Sequence, residues 1–230
     1  MLYMMQENFW LAYGVINMAL SKVDYNSLNV TAAASKALKW NSGADGFETG
    51  DVAGAMVLLE TQTASGSSTI SFTSDIDSTY KEYIFKFYDI NPATDSAKFS
   101  FQADTGTNTS YNQTITSTFF YCYHDEGDTD TALEYNASYD LAQSTSFHNL
   151  SNVIGNGADE SLAGTLTIYD PSNSTFVKHF ISRCNMYQAG DYTFDIFTAG
   201  YFNITTAITR FQFKMHSGNF DGVIKLYGVT

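Results

Sequence analysis

The chain has 230 residues, enough to bury a sizeable core in one domain without disulfide or metal staples, and its 18 Phe and 16 Tyr against only 15% charged residues exclude a disordered chain. The formal net charge is −13, and from Phe99 to Val177 no Lys or Arg occurs while Asp104, Asp125, Glu126, Asp128, Asp130, Glu134, Asp140, Asp159, Glu160 and Asp170 accumulate. Such a surface repels nucleic acid and anionic membranes, which are bound by neutralising phosphates with cations, and leaves a divalent cation, a basic protein or a neutral glycan as its natural partners.

The N-terminal segment does not read as an export signal. Its only early charge is Glu7, there is no basic n-region, and the apolar run from Phe9 to Leu20 is broken by Gly14 and Asn17. No stretch reaches the ~20 apolar residues of a spanning helix, so membrane insertion is not expected. Met18-Ala19-Leu20-Ser21-Lys22 reads as a natural start, which leaves residues 1–17 as an extension of the reading frame or as a docking peptide. Ala-rich Thr31 to Trp40 favours a short helix, with Lys36 and Lys39 near its C-terminus where cations suit the dipole. One such helix cannot form a domain, so residues 1–54 are expected to be an arm ordered against a partner or a neighbouring copy.

From Ala55 onward an alternating pattern takes over. Strands are expected over Met56 to Gln62, Thr69 to Thr73, Tyr80 to Tyr88, Lys98 to Ala103, Asn112 to Tyr123, Ala132 to Tyr139, Gly164 to Tyr169, Thr175 to Arg183, Gly190 to Phe197, Thr209 to His216 and Gly222 to Tyr227. Turn formers such as Asn91-Pro92-Ala93-Thr94-Asp95 and Asp170-Pro171-Ser172-Asn173 separate them. Short strands without intervening helical patterns predict an all-β fold over 55–230, an antiparallel two-sheet sandwich or jelly roll. Phe211, Phe213 and Met215 alternate with Gln212, Lys214 and His216, and Ile224 and Leu226 with Lys225 and Tyr227, giving one apolar face. Phe119-Phe120-Tyr121-Cys122-Tyr123 is instead apolar on both faces. That strand is either central and covered twice, or meets another subunit on one side.

Directly after it come Asp125, Glu126, Asp128 and Asp130 around Gly127, the closely spaced carboxylates and sharp turn that Ca²⁺ coordination uses, although the distant Glu of an EF-hand loop is missing. A solvated acidic loop is the plainer alternative. Catalysis finds little support. His124, His148, His179 and His216 fall in no metal-ligand spacing, HExxH, GxSxG and P-loop motifs do not occur, and Gly155-Asn156-Gly157 lacks the third glycine of a dinucleotide fingerprint. The exposed-phase aromatics Tyr121, Tyr123 and Tyr169, with Phe119 beside them, are candidates for stacking on sugar rings or for contact with another subunit, with ordinary core or interface packing as the commoner alternative. Cys122 and Cys184 read as two free buried thiols, with a single disulfide as the alternative. Sequons such as Asn136-Ala137-Ser138 arise readily in a chain this rich in Asn, Ser and Thr.

The order of the aromatic phrases carries a further signal. Tyr80-Lys81-Glu82-Tyr83-Ile84-Phe85-Lys86-Phe87-Tyr88-Asp89-Ile90-Asn91-Pro92-Ala93-Thr94-Asp95, then Phe99-Ser100-Phe101-Gln102, then the closing Phe220-Asp221-Gly222-Val223-Ile224-Lys225-Leu226-Tyr227-Gly228, resemble virion structural proteins of tailed bacteriophages, especially marine ones, over residues 55 to 230. The resemblance implies a non-enzymatic sandwich displayed outside a phage particle as a tail fibre, capsid fibre or decoration, anchored to other virion proteins by its N-terminal arm, trimeric, and able to touch a host-surface glycan. No catalytic motif is implied by it. A carbohydrate-binding or calcium-dependent adhesion module is the competing expectation.

Overall fold

The computed structural model describes residue 30, residues 36–50 and residues 56–229. The expectations for residues 1–17, including the start at Met18, lie outside these. The chain divides into two compact units, Met1–Ala53 and Gly54–Thr230. Among the described residues there is no helix, and so none long and apolar enough to cross a membrane.

The described part of the first unit is a hairpin of β1 (Ala37–Trp40) and β2 (Phe47–Gly50), antiparallel with Trp40 opposite Phe47. This corrects the helix expected over Thr31 to Trp40, at least from Ala37 on; residues 31–35 lie outside the described set. The Gly-rich run after Trp40 is a chain-reversing turn. Asn41 N–H donates to the Gly46 carbonyl (3.0 Å), the Asn41 amide oxygen accepts from the Asp45 N–H (3.2 Å), and Ala44 takes a left-handed φ of 54°. Reversal brings the Trp40 and Phe47 rings together at 4.4 Å and Lys39 to Glu48 at 3.4 Å, cross-strand contacts that outweigh the helix propensity of alanine.

The second unit is an antiparallel β-sandwich, as expected. Its larger sheet takes β3 (Met56–Ser67), β14 (Phe220–Val229), β5 (Glu82–Pro92), β10 (Leu162–Tyr169), β11 (Lys178–Gln188), β12 (Tyr192–Phe202), β7 (Ile115–Asp125) and β8 (Thr131–Tyr135), side by side in that order. The smaller takes β4 (Ile70–Phe72), β13 (Ile208–Met215), β6 (Phe99–Thr105) and β9 (His148–Asn149). Each expected strand run overlaps one of these strands, several of which extend past the expected ends, as β3, β5, β11 and β12 do. The two-residue β9 is too short to show alternation in the sequence.

The aromatic phrases become the contact between the sheets. Phe213 of β13 packs within 5.0 to 6.4 Å of Phe72, Phe85, Phe87, Phe99 and Phe101, and Phe101 packs edge-on to Phe180 at 5.2 Å. All seven rings are buried. Edge-to-face and stacked pairs of this kind add about 0.5–1.5 kcal/mol each beyond area burial. The closing phrase has its own steric logic. Gly222 sits at φ 136° where β14 shifts register against β5, and a Cβ there would meet the Asp89 carbonyl at 2.8 Å. At Gly228 a Cβ would drive into the Tyr80 ring.

Candidate functional site

The acidic loop is the hairpin turn between β7 and β8. Asp125 Oδ1 accepts from the backbone N–H groups of Thr129 and Asp130, both at 2.8 Å, and its Oδ2 accepts from the Thr129 hydroxyl at 2.6 Å. The Thr129 hydroxyl first, then the Asp130 N–H, hold the Asp125 carboxyl down at about 2. Asp128, at φ 55°, faces His124 Nε2 at 3.1 Å, and Asp130 accepts from the Tyr192 hydroxyl at 3.3 Å. The Glu126 N–H reaches across to the Asp191 carbonyl. Asp125, Glu126, Asp128 and Asp130 therefore serve different partners, and among the described residues no set of three or more His, Cys, Asp or Glu side chains converges as a metal-holding group.

The aromatic strand β7 has the opposite phase to that expected. Phe119 is fully buried against Tyr139 and His148, and Tyr121 is buried against Phe194 with its hydroxyl donating to Glu134 at 3.1 Å. Tyr123 is half-buried on the same side, stacked with Phe194 at 5.1 Å. Phe119, Tyr121 and Tyr123 are thus inward-facing, and their rings are taken up by intramolecular packing. With apolar residues at every position from Phe119 to Tyr123 this run carries no polar marker of its outer side, and its pairing with β12 and β8 sets which side faces in. Tyr169 is exposed, as expected.

Within the run Phe119 to Tyr123, the side chains that β7 presents outward are Phe120 and Cys122. Phe120 is 38% exposed and stacks nearly parallel on Phe197 of β12, at 5.0 Å and 4°. Register places Tyr135 of the edge strand opposite Phe120 and Leu133 opposite Cys122. Those two edge residues are 56% and 73% exposed. Arg183 of β11 closes this aromatic row, 4.9 Å over Phe197, with its guanidinium held by Asp195 at 3.0 and 2.7 Å. Further along the same outer face Ile181 is 53% exposed beside a shallow depression of about 460 Å³ lined by Thr118, His179, Ala199 and Tyr201. Among the described residues, apart from those of the hairpin and Phe176, the exposed large apolar side chains all belong to strands of the larger sheet.

Both cysteines are free, in line with the simpler reading, but they lie on opposite faces: Cys122 is half-buried on the outer side, and Cys184 is buried within the sandwich, where burial raises its thiol to about 12. A thiol in that state is a packing group with little thiolate character. The Ser117–His148 pair, 3.4 Å apart, resembles a nucleophile and base only on paper. His148 is fully buried among Phe101, Phe119 and Phe180, and burial holds it at about 3. Its neutral ring fills the core. Lys178 is likewise a structural group: it is buried with Nζ donating to the carbonyls of Phe176, Ile204 and Thr205 at 2.9, 3.3 and 2.8 Å, and burial pushes its pKa down.

One feature of the outer face has no counterpart in the sequence reading. Lys86 of β5 and Lys225 of β14 are register partners and stand side by side, each diagonal to a tyrosine: Lys86 lies 5.5 Å from the Tyr227 ring and Lys225 5.5 Å from the Tyr88 ring. Comparison with protein-family models, with curated proteins and with solved structures finds no match to the chain.

Proposed function

We propose that this chain is a non-enzymatic structural subunit of a tailed-bacteriophage particle, a surface-displayed sandwich of tail-fibre, capsid-fibre or decoration type that associates with copies of itself. The observation that carries the reading is the aromatic end of the outer face. Phe120, Leu133, Tyr135 and Phe197 form a contiguous row over β8, β7 and β12 on a chain of net charge −13. Exposed apolar side chains brought side by side by register are the signature of a surface that another protein covers. The strand resemblance over residues 55 to 230 supplies the virion context. Residues 1–54 are the segment through which the subunit docks to other particle proteins.

Two measurements test this. Light scattering on the full chain should give a trimer, and Leu133→Glu should shift it to monomer without loss of fold; a monomeric wild type sinks the self-association. Mass spectrometry of purified phage particles should contain the chain in stoichiometric amounts. Its absence from particles, together with saturable calcium-dependent glycan binding, would favour the adhesion-module reading instead.

A further inference from the structure

We infer that the Lys86–Lys225 pair, with Tyr88 and Tyr227, is a binding site for an anionic saccharide, a sugar unit carrying a carboxylate or sulfate group. The inference stands apart from the virion reading, since it rests on a different part of the outer face.

The pair is costly as it stands. Like charges directly opposite on one face of an antiparallel sheet lie about 4.5–5.5 Å apart at Cβ and destabilise the pairing. The chain has 24 acidic side chains against 11 basic ones, so an acidic neighbour would be the commonest way to relieve that repulsion. None is used. Register places Thr61 beside Lys225 and Thr165 beside Lys86, while Ile84 and Val223 stand opposite Tyr227 and Tyr88. Among the described residues neither ammonium has an ion-pair partner within 4.0 Å, whereas Lys81 is paired with Asp170 and Arg183 with Asp195. Two cations held together in an acidic protein, with hydroxyls on either side and no counter-charge, fit an anion supplied from outside.

The tyrosines define the rest of the ligand. Tyr88 is exposed and Tyr227 half-buried; they are rooted on opposite sides of the lysine row, one opposite Val223 and one opposite Ile84, and their side chains reach toward each other across it. An acid group bridging the two ammonium groups would leave its carrier over an amphipathic ring on either side, a platform suited to the apolar face of a sugar. A polymer of closely spaced phosphates is a poorer fit, because each phosphate asks for its own cation and only two stand here on a net-negative chain.

The test uses the full chain at low salt, titrated with trigalacturonic acid, with neutral maltotriose and with sodium sulfate, and followed by NMR shifts of Tyr88, Tyr227 and the lysines. Saturable binding of trigalacturonic acid, weakened about tenfold by Lys86→Met or Lys225→Met and kept by the Lys→Arg changes at the same positions, supports the site. Lys214→Met, which removes a cation lying 3.9 Å over Phe147 on the other sheet, should leave binding unchanged. Circular dichroism melts confirm that the variants fold. Equal affinity for free sulfate and trigalacturonic acid would overturn the saccharide assignment. Equal affinity for maltotriose, tighter binding of a short DNA strand, or indifference to the lysine changes would overturn the site altogether.

Discussion

The two faces of the eight-stranded sheet are made from the same strands, residue by alternate residue, yet they are built to different ends. On the inner face Phe85, Phe87, Phe180, Phe202 and Leu226 are buried and interlock with the smaller sheet. On the outer face Phe120, Leu133, Tyr135 and Ile181 remain open, and between them and the β3 edge stand threonines and the cation row of Arg183, Lys86 and Lys225. The inner face holds the fold together through area and ring contacts; the outer face spends apolar and charged groups where they contribute little to folding. Alternation thus lets one sheet separate stability from recognition, and substitutions on the two faces should separate in the same way.

The largest effect should come from the centre of the inner face. Phe213→Ala removes the ring that five others touch and should cost about 3–5 kcal/mol in urea unfolding, and a loss under about 1 kcal/mol would mean that the sheets do not pack through it. Acid comes next. His148 has a folded pKa near 3 against 6.5 in the unfolded chain, so the unfolded state binds more protons between these values. Its contribution is complete above pH 6.5 and is lost as pH falls toward 3, with a slope of up to about 1.4 kcal/mol per pH unit. Stability curves of wild type and His148→Leu at stepped pH should converge in slope above pH 6.5 and diverge below it.

Lys178→Ala would strip three carbonyls of their shared donor and should cost about 1–3 kcal/mol, seen as earlier unfolding and as faster amide exchange in the loop around Thr205. The outer face should behave in the contrary sense. Leu133→Ser is expected to change stability by no more than about 0.5 kcal/mol while reducing the mass measured by light scattering. Should Leu133→Ser unfold the chain instead, the division of labour between the faces would not hold.

Much of this was legible in the residues themselves. The 2-residue period of Phe211, Phe213 and Met215, and of Tyr83, Phe85 and Phe87, announces strands with one buried face, because successive side chains must point to opposite sides. The site was less legible. The acidic run around Gly127 is legible as closely spaced carboxylates about a sharp turn, whereas only the structure shows Asp125 accepting from the N–H groups of Thr129 and Asp130. In β7 the apolar run from Phe119 to Tyr123 hides the phase from any local pattern, and the structure turns Tyr121 and Tyr123 inward.

What the sequence determined alone is therefore the class of fold, the approximate position of the longer strands from Met56 onward and the acidity of its surface, since each depends on local period or on a sum over residues. What only the tertiary structure decided is pairing. Lys86 and Lys225 are distant along the chain and unremarked in their own strands; they become one charged group only because β5 and β14 lie side by side in a particular register. Phe120 meets Phe197 and Leu133 flanks Cys122 for the same reason. Which residues become neighbours across strands is set by how the whole sandwich closes its core, and no local window of sequence contains that information.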